Sequence, residues 1–332
     1  MDIRQLRTFV EVAKLKSFSK AAEKLFMTQP SVSNHVQAME KEYDAILFNR
    51  LGKEVSLTEA GLILYAKALD IINTYESIKF EISNYQGVID GHLEILSSSV
   101  PRKQLLPGVL HDFSKDYPHV SFTILDLDSD AVVQRILSGE SDFGIVGSRI
   151  DKPNLEYEKL LEDSLVLITP NSFREELDKK NISSKNTNRR IDCIMSQEGR
   201  KPNTNILCDI DLLREISLSD IKDQTFIFRE EGSGTREAIR KALEEIGINI
   251  NELKTFAYVE DTEAIKKMVS LGSGCSFISC LEVDSLNDDK YSVFTVKELR
   301  LKRDFYLVSH KARQLSPLGE KFKEFITQVY TG

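Results

Sequence analysis

The side chains best placed to do chemistry are hydrogen-bond donors gathered at three sharp turns. Ser97-Ser98-Ser99-Val100-Pro101 follows one apolar run and Gly147-Ser148-Arg149 follows another. Arg229-Glu230-Glu231-Gly232-Ser233-Gly234-Thr235-Arg236 follows a third and opens a helix. A glycine-spaced turn before a helix exposes backbone N–H groups with partial positive charge, which suits an anion. Ser233, Thr235 and Arg236 add further donors. Together these turns are rich in donors and poor in aromatics, and so fit a small oxyanion or carboxylate better than an aromatic ligand. Each Ser or Thr taken alone fits helix capping as well. The Gly232–Arg236 run lacks the spacing and the Lys of a phosphate-cleaving loop. No nucleophile–base pair emerges, and the five His, at positions 35, 92, 111, 119 and 310, have no metal-ligand spacing. Catalysis, a metal and a cofactor are therefore not expected.

The elements that position these turns alternate strand with helix. Leu93–Leu96, Val120–Leu125, Phe143–Gly147 and Thr225–Phe228 read as strands. Arg102–Tyr117, Ala131–Leu137 and the run up to Ile246 read as helices. Such alternation predicts a parallel sheet covered on both faces, with ligands held beyond the carboxyl ends of its strands. Asp304–Ser309 reads as a returning strand and Pro317–Tyr330 as a closing helix. Asp178–Ser217 is polar and reads as an inserted surface loop containing Cys193 and Cys208, for which a thiol redox switch is the alternative role. Cys275 and Cys280 flank a strand-like segment and read as packed core.

The first 60 residues are different. Ile3, Leu6, Phe9, Val10 and Ala13 form one face of a helix. Ser17 and Ser19 offer caps for a short helix over Lys20–Phe26. Thr28 caps a third helix, Gln29–Tyr43, with Pro30 in its first turn. Val32, Val36 and Met39 point inward. Gln29, Ser31, Ser33, Asn34 and Gln37 supply an outer face of amides and hydroxyls without early carboxylates, the composition needed to read base edges in a major groove, and Thr28, Pro30 and His35 are further candidates for DNA contact. A solvated polar face would have the same composition. The order short helix, tight turn, polar helix favours a helix-turn-helix. Two strand-like runs, Leu47–Arg50 and Val55–Leu57, then form a wing that sets Arg50 and Lys53 toward the DNA backbone or minor groove.

Thr58–Tyr85 follows without Pro. Gly61, Leu64, Ala68, Ile71, Tyr75, Ile78, Ile82 and Tyr85 are spaced alternately three and four apart, a coiled-coil seam over more than three heptads. A second copy of the chain is its simplest partner, and two heads on one rod imply a DNA site with two related halves.

Residues 1–61, with Ala21-Ala22, Thr28-Gln29-Pro30-Ser31-Val32-Ser33, Leu47-Phe48-Asn49-Arg50 and Leu57-Thr58-Glu59-Ala60-Gly61, resemble the head of LysR-type transcriptional regulators. The body resembles that family's effector-binding region, two Rossmann-like subdomains like those of periplasmic binding proteins. Its Asp128-Ser129-Asp130, Gly144–Gly147 and Glu231–Arg236 are similar to members that control sulfur, selenium or carbon-fixation genes. The resemblance implies an all-α winged helix-turn-helix head plus long linker helix, joined to an α/β body of two subdomains. The boundaries are 1–58 for the head, 59–86 for the dimerising helix, 87–91 for a hinge and 92–332 for the body. Within the body, about 92–164 and 276–332 would form the first subdomain and about 165–275 the second. The resemblance places an effector on Ser98, Ser99, Ser233, Gly234 and Thr235, and the strand ends and turns add Val100, Ser129, Gly147, Ser148 and Arg236. It implies pairing through Leu64, Ala68, Ile71, Tyr75, Ile78 and Ile82, as dimer or tetramer, on an interrupted palindrome.

Composition is consistent with this. The 332 residues carry a net charge of −8, yet the first 60 hold +1 and the rest −9, as expected for DNA binding confined to one end. No apolar run reaches the ~18 residues of a membrane span, no secretory leader opens the chain, and four scattered Cys suit a reducing cytoplasm. The rival class is a solute-binding or enzymatic α/β protein with an accessory helix-turn-helix.

Overall fold

A computed structural model describes residues 1–49, 55–85, 89–180, 213–283 and 290–331. The head comprises α1 (Ile3–Leu15), α2 (Phe18–Lys24) and α3 (Gln29–Tyr43), then a two-stranded wing of β1 (Phe48–Asn49) and β2 (Ser56–Leu57). Asp2 and Gln5 cap α1 reciprocally. The second helix starts at Phe18, two residues earlier than expected, because the Ser17 hydroxyl accepts from the Lys20 N–H. It ends at Lys24, and Phe26 turns the chain with φ at 53°. Val32, Val36 and Met39 are fully buried in the head core, as expected. The wing is antiparallel, pairing Phe48 with Leu57. Arg50 and Lys53 lie outside the described residues.

The 27-residue α4 (Glu59–Tyr85) leaves the wing and is about 40 Å long. Gly61 is required at its start, since a Cβ there would stand 2.2 Å from the Leu47 carbonyl oxygen. The expected seam divides in two. Ala68 is fully buried and Leu64 packs beside it, both in the core of their own head. Ile71, Tyr75, Ile78 and Ile82 stay 40–55% exposed. Ala68 therefore serves the head, with half-buried Leu64 packed against it, because α4 supplies the fourth wall of the three-helix core.

The body contains β3 (Asp90–Ser97), a π-helical turn (Pro101–Leu105), α5 (Leu106–Asp116), β4 (His119–Asp126), α6 (Ser129–Ser138), β5 (Phe143–Val146) and β6 (Leu155–Thr169). After α7 (Asn171–Lys180) come β7 (Arg214–Ile216), α8 (Leu218–Ile221), β8 (Phe226–Phe228), α9 (Gly234–Glu245), β9 (Thr255–Tyr258), α10 (Thr262–Ser270), β10 (Ser276–Ser279), β11 (Ser292–Val296), β12 (Lys302–His310) and α11 (Pro317–Thr331). The main sheet runs β4-β3-β5-β12-β6-β11-β7, with β10 also on β6, and β8-β9 form a second sheet.

Parallel pairing holds for β4-β3-β5, β11-β7 and β8-β9. The returning β12 is antiparallel to both β5 and β6, so the main sheet is mixed. The 15-residue β6 joins the two subdomains. Leu155–Ser164 pairs with β12, while Leu165–Thr169 pairs with β10 and β11. Phe277, Phe294 and Leu301 accordingly pack with Phe226 and Leu243 in the second core, whereas the sequence pattern assigns 276–332 to the first subdomain. The first core is built on Ile95, Val109, Phe113, Phe143 and Phe322. No helix among the described residues is long and apolar enough to cross a membrane.

Candidate functional site

On the head, Thr28 Oγ1 accepts from the Ser31 N–H at 3.3 Å and lies 2.8 Å from Ser31 Oγ, so both hydroxyls serve the helix start. Gln29, Pro30, Asn34 and Gln37 are exposed, and Ser33 is half-buried with Gln29 Nε2 donating to its hydroxyl at 3.4 Å. His35 leaves this face. Its Nδ1 lies 2.9 Å from the hydroxyl of Thr8, a buried α1 residue, so the imidazole ties α3 to α1 instead of pointing outward.

In the body, the carboxyl ends of β3, β4 and β5 face the start of α9 across a cleft of about 330 Å³. Ser98, Ser99, Val100, Ser129, Gly147, Ser233, Gly234 and Thr235 all line it. Two expected residues do not. Ser148 follows Gly147 past the strand end and lies outside the lining. Arg236 is carried by the first turn of α9 away from the cleft, where its guanidinium stacks 4.4 Å over the Tyr258 ring. Gly234 brings the two walls together, since a Cβ there would stand 2.8 Å from the Gly147 carbonyl oxygen.

Four cations also line the cleft: Arg229, from the third turn, and Arg102, Lys103 and Arg303, which the sequence did not single out. Arg229 grips Glu230 through Nε at 2.8 Å and Nη2 at 2.9 Å, and Nη2 also donates across the cleft to Ser99 Oγ at 3.1 Å. Arg303 donates through Nε to Asp163 at 2.8 Å and through Nη1 to Thr235 at 2.8 Å. Its Nη2 is buried with no hydrogen-bond partner among the described residues, as is the Ser129 hydroxyl. Burial pushes the Asp163 carboxyl up, opposed by Arg303 and by hydrogen bonds from Ser279 and Arg303. Glu282, behind the cleft and facing Arg303 and Arg229, is likewise pushed up by burial. Five carboxylates, Asp126, Asp128, Glu230, Glu260 and Asp261, line the cleft beside these cations, so what suits it to an oxyanion is local: an unsatisfied Arg303 N–H and a buried free hydroxyl on Ser129.

The cleft also touches the head through α6. Asp128 caps this helix by accepting from the Ala131 N–H at 2.7 Å, and Ser129 opens it at the cleft. At its far end the Gly139 carbonyl accepts from Tyr65 Oη of α4 at 3.2 Å, and the Glu140 carbonyl accepts from Lys14 Nζ of α1 at 3.3 Å. Arg313 clamps the same turn, donating to the carbonyls of Ile136 and Leu137.

No cluster of three or more metal-binding side chains occurs among the described residues. Cys193 and Cys208 lie outside them. Cys275 is a free, buried thiol that burial pushes up to about 12, so it is packed core as expected. Cys280 is buried in an apolar cluster, packed core as expected, and is disulfide-bonded.

Residues 3–62 match the family described as bacterial regulatory helix-turn-helix protein, lysR family, and residues 86–209 and 206–331 match the LysR substrate binding domain. The chain is 31% identical to an uncharacterized HTH-type transcriptional regulator of Methanocaldococcus jannaschii, MJ0300, over 98% of this chain and 99% of that one. It is 29% identical to the HTH-type transcriptional regulator CysL of Bacillus subtilis, over 98% and 95%. Full-length OxyR from Pseudomonas aeruginosa shares the fold with a TM-score of 0.66 at 16% identity, over 99% and 97%. The regulatory domain of Synechocystis CcmR in complex with 2-PG does so with a TM-score of 0.55 at 20% identity, over 73% and 99%. The chain therefore belongs to the LysR family and is a LysR-type transcriptional regulator, a DNA-binding helix-turn-helix head joined to an effector-binding α/β body.

Proposed function

We propose that the cleft between the strand ends and α9 binds a small anionic effector, and that its occupancy changes how a pair of heads engages an interrupted palindrome. One observation carries this reading: Arg303 Nη2 and the Ser129 hydroxyl are buried in a cleft large enough for a small anion, without protein partners among the described residues. Buried donors in that state are costly unless a ligand or water meets them. A structural neighbour, the CcmR regulatory domain, is described in complex with 2-PG, which fits the same ligand class. The effector stabilises one angle between the subdomains, and it shifts the heads to the extent that it binds the two arrangements with different affinity.

On the DNA side, Gln29, Pro30, Asn34 and Gln37 face the major groove, with Ser33 at their edge and Thr28 and Ser31 holding the helix start. The exposed stripe Ile71, Tyr75, Ile78 and Ile82 pairs two chains. The protein works without catalysis, in the cytoplasm where its DNA lies.

Thermal melts against a panel of sulfur-containing and carboxylate anions test the cleft, because a ligand at 100 times its Kd adds about 2.7 kcal/mol to the folded state. Ser98→Ala with Thr235→Ala should remove that stabilisation and the effector's influence on gel retardation, while operator binding persists. A double variant that still responds would place the effector elsewhere.

A further inference from the structure

We propose that Glu230 and Asp261 stand in for the effector's negative charge while the cleft is empty, so that they set both its affinity and the charge it must bring. The inference rests on the reading of the cleft as the effector site. Its basis is an asymmetry among the ion pairs that line the cleft. In the Arg303–Asp163 pair both side chains are buried, at 6% and 0% exposed, and neither is free to leave. In the pairs Arg229–Glu230, Lys103–Asp261 and Arg102–Asp126 the carboxylate is the more exposed half, 5% against 24%, 27% against 54% and 29% against 57%; the first two involve the second subdomain, whereas Arg102–Asp126 lies within the first.

Glu230 covers two edges of the Arg229 guanidinium in a forked pair, the geometry an incoming carboxylate, sulfate or phosphate would itself adopt. Asp261 holds Lys103 at 2.8 Å and thereby ties the π-helical turn of the first subdomain to the start of α10 in the second. An arriving anion therefore exchanges one negative partner for another. A neutral ligand leaves both carboxylates in place. A monoanion replaces one of them, whereas a compact dianion replaces Glu230 on Arg229 and Asp261 on Lys103 together. The same exchange replaces the direct Lys103–Asp261 tie with one through the anion, which fixes a different subdomain angle. The ligand class that answers both of these pairs at once is a small dianion bearing sulfate, phosphate or two carboxylates.

The test uses the full chain and isothermal titration with sulfate as dianion and acetate as monoanion, at constant ionic strength because screening weakens all these contacts. Glu230→Gln and Asp261→Asn keep the side-chain shapes, and asparagine caps α10 as aspartate does. Matching far-UV spectra establish that the variants are folded. The combined variant should bind sulfate at least ~10-fold more tightly than wild type, and acetate binding should gain too, narrowing the preference for the dianion. If wild type shows no sulfate heat, its appearance in the combined variant counts as that gain, and a blank in both overturns the proposal. Equal sulfate affinity in the two proteins, abolished in each by Ser98→Ala with Thr235→Ala, overturns the stand-in role and leaves the cleft as the effector site. Sulfate binding that ignores Ser98→Ala with Thr235→Ala removes the cleft itself, and the proposal with it.

Discussion

Truncating Asp163 to alanine would leave the Arg303 guanidinium without its charge partner in a side chain only 6% exposed. It would also strip Ser279 Oγ of its acceptor at 2.7 Å. Breaking one side of a buried ion pair costs about 3–5 kcal/mol, most of it the cost of the orphaned charge. For a body of this size each kcal/mol moves Tm by about 2–4 °C, so Asp163→Ala should lower the melting temperature by roughly 10 °C. Asp163→Leu combined with Arg303→Met removes both charges and fills similar volume. It should recover part of that loss, because the desolvation cost of the pair disappears while buried Glu282 loses the Arg303 charge it faces. Melts followed by far-UV circular dichroism decide the matter if wild type and both variants are held at one concentration, since oligomers melt in a concentration-dependent way. A fall of less than ~2 °C for the single variant, or a combined variant weaker than the single one, would refute the claim that Arg303 depends on Asp163 for its place in the cleft.

Four further outcomes are expected. Gly234→Ala places a Cβ 2.8 Å from the Gly147 carbonyl oxygen, so the cleft must widen and the affinity for the stabilising anion, read by calorimetry, should fall at least ~10-fold; unchanged affinity would mean the walls do not meet there. Ile78→Glu puts a charge on a residue 54% exposed in the single chain, so sedimentation velocity should show smaller species with an unchanged circular dichroism spectrum, and an unaltered sedimentation coefficient would exclude the α4 stripe as the interface. Asn34→Ala should weaken specific operator binding by about 1–3 kcal/mol in gel retardation while leaving nonspecific, salt-dependent binding intact. Cys275, with its thiol pushed up to about 12 by burial, should resist iodoacetamide at pH 8 in the native protein and react in denaturant, as read by mass spectrometry of its peptide.

The parts of the molecule legible in the sequence are those whose signal is local. Pro30 after Thr28, the spacing of Val32, Val36 and Met39, and the serines beyond β3 announce a helix start, an inward face and a strand end within a few residues each. Arg303 is hidden in the sequence because it lies 68 positions from Thr235 and 140 from Asp163. One signal is present. Arg303 shares the alternating face of β12 with buried Phe305 and Leu307, and a charge on the apolar face of a strand demands a partner. The heptad spacing of α4 marks an apolar stripe, but spacing does not say who covers it, and Ala68 is covered by its own head with half-buried Leu64 packed against it. Strand order escapes the sequence for a related reason. Fifteen residues of β6 serve two subdomains at once, and no periodicity marks the point where its partners change.

Helix α6 spans about 15 Å between Ser129 and Ser138. A hydrogen-bonded helix is stiff along its axis, so any shift an effector imposes at Ser129 would be felt at the far end, where Tyr65 and Lys14 of the head hold the turn. Such a path would need no relay of rearranging side chains. The gearing is set where the rod meets the base of the head, at the turn around Gly139 that Arg313 clamps.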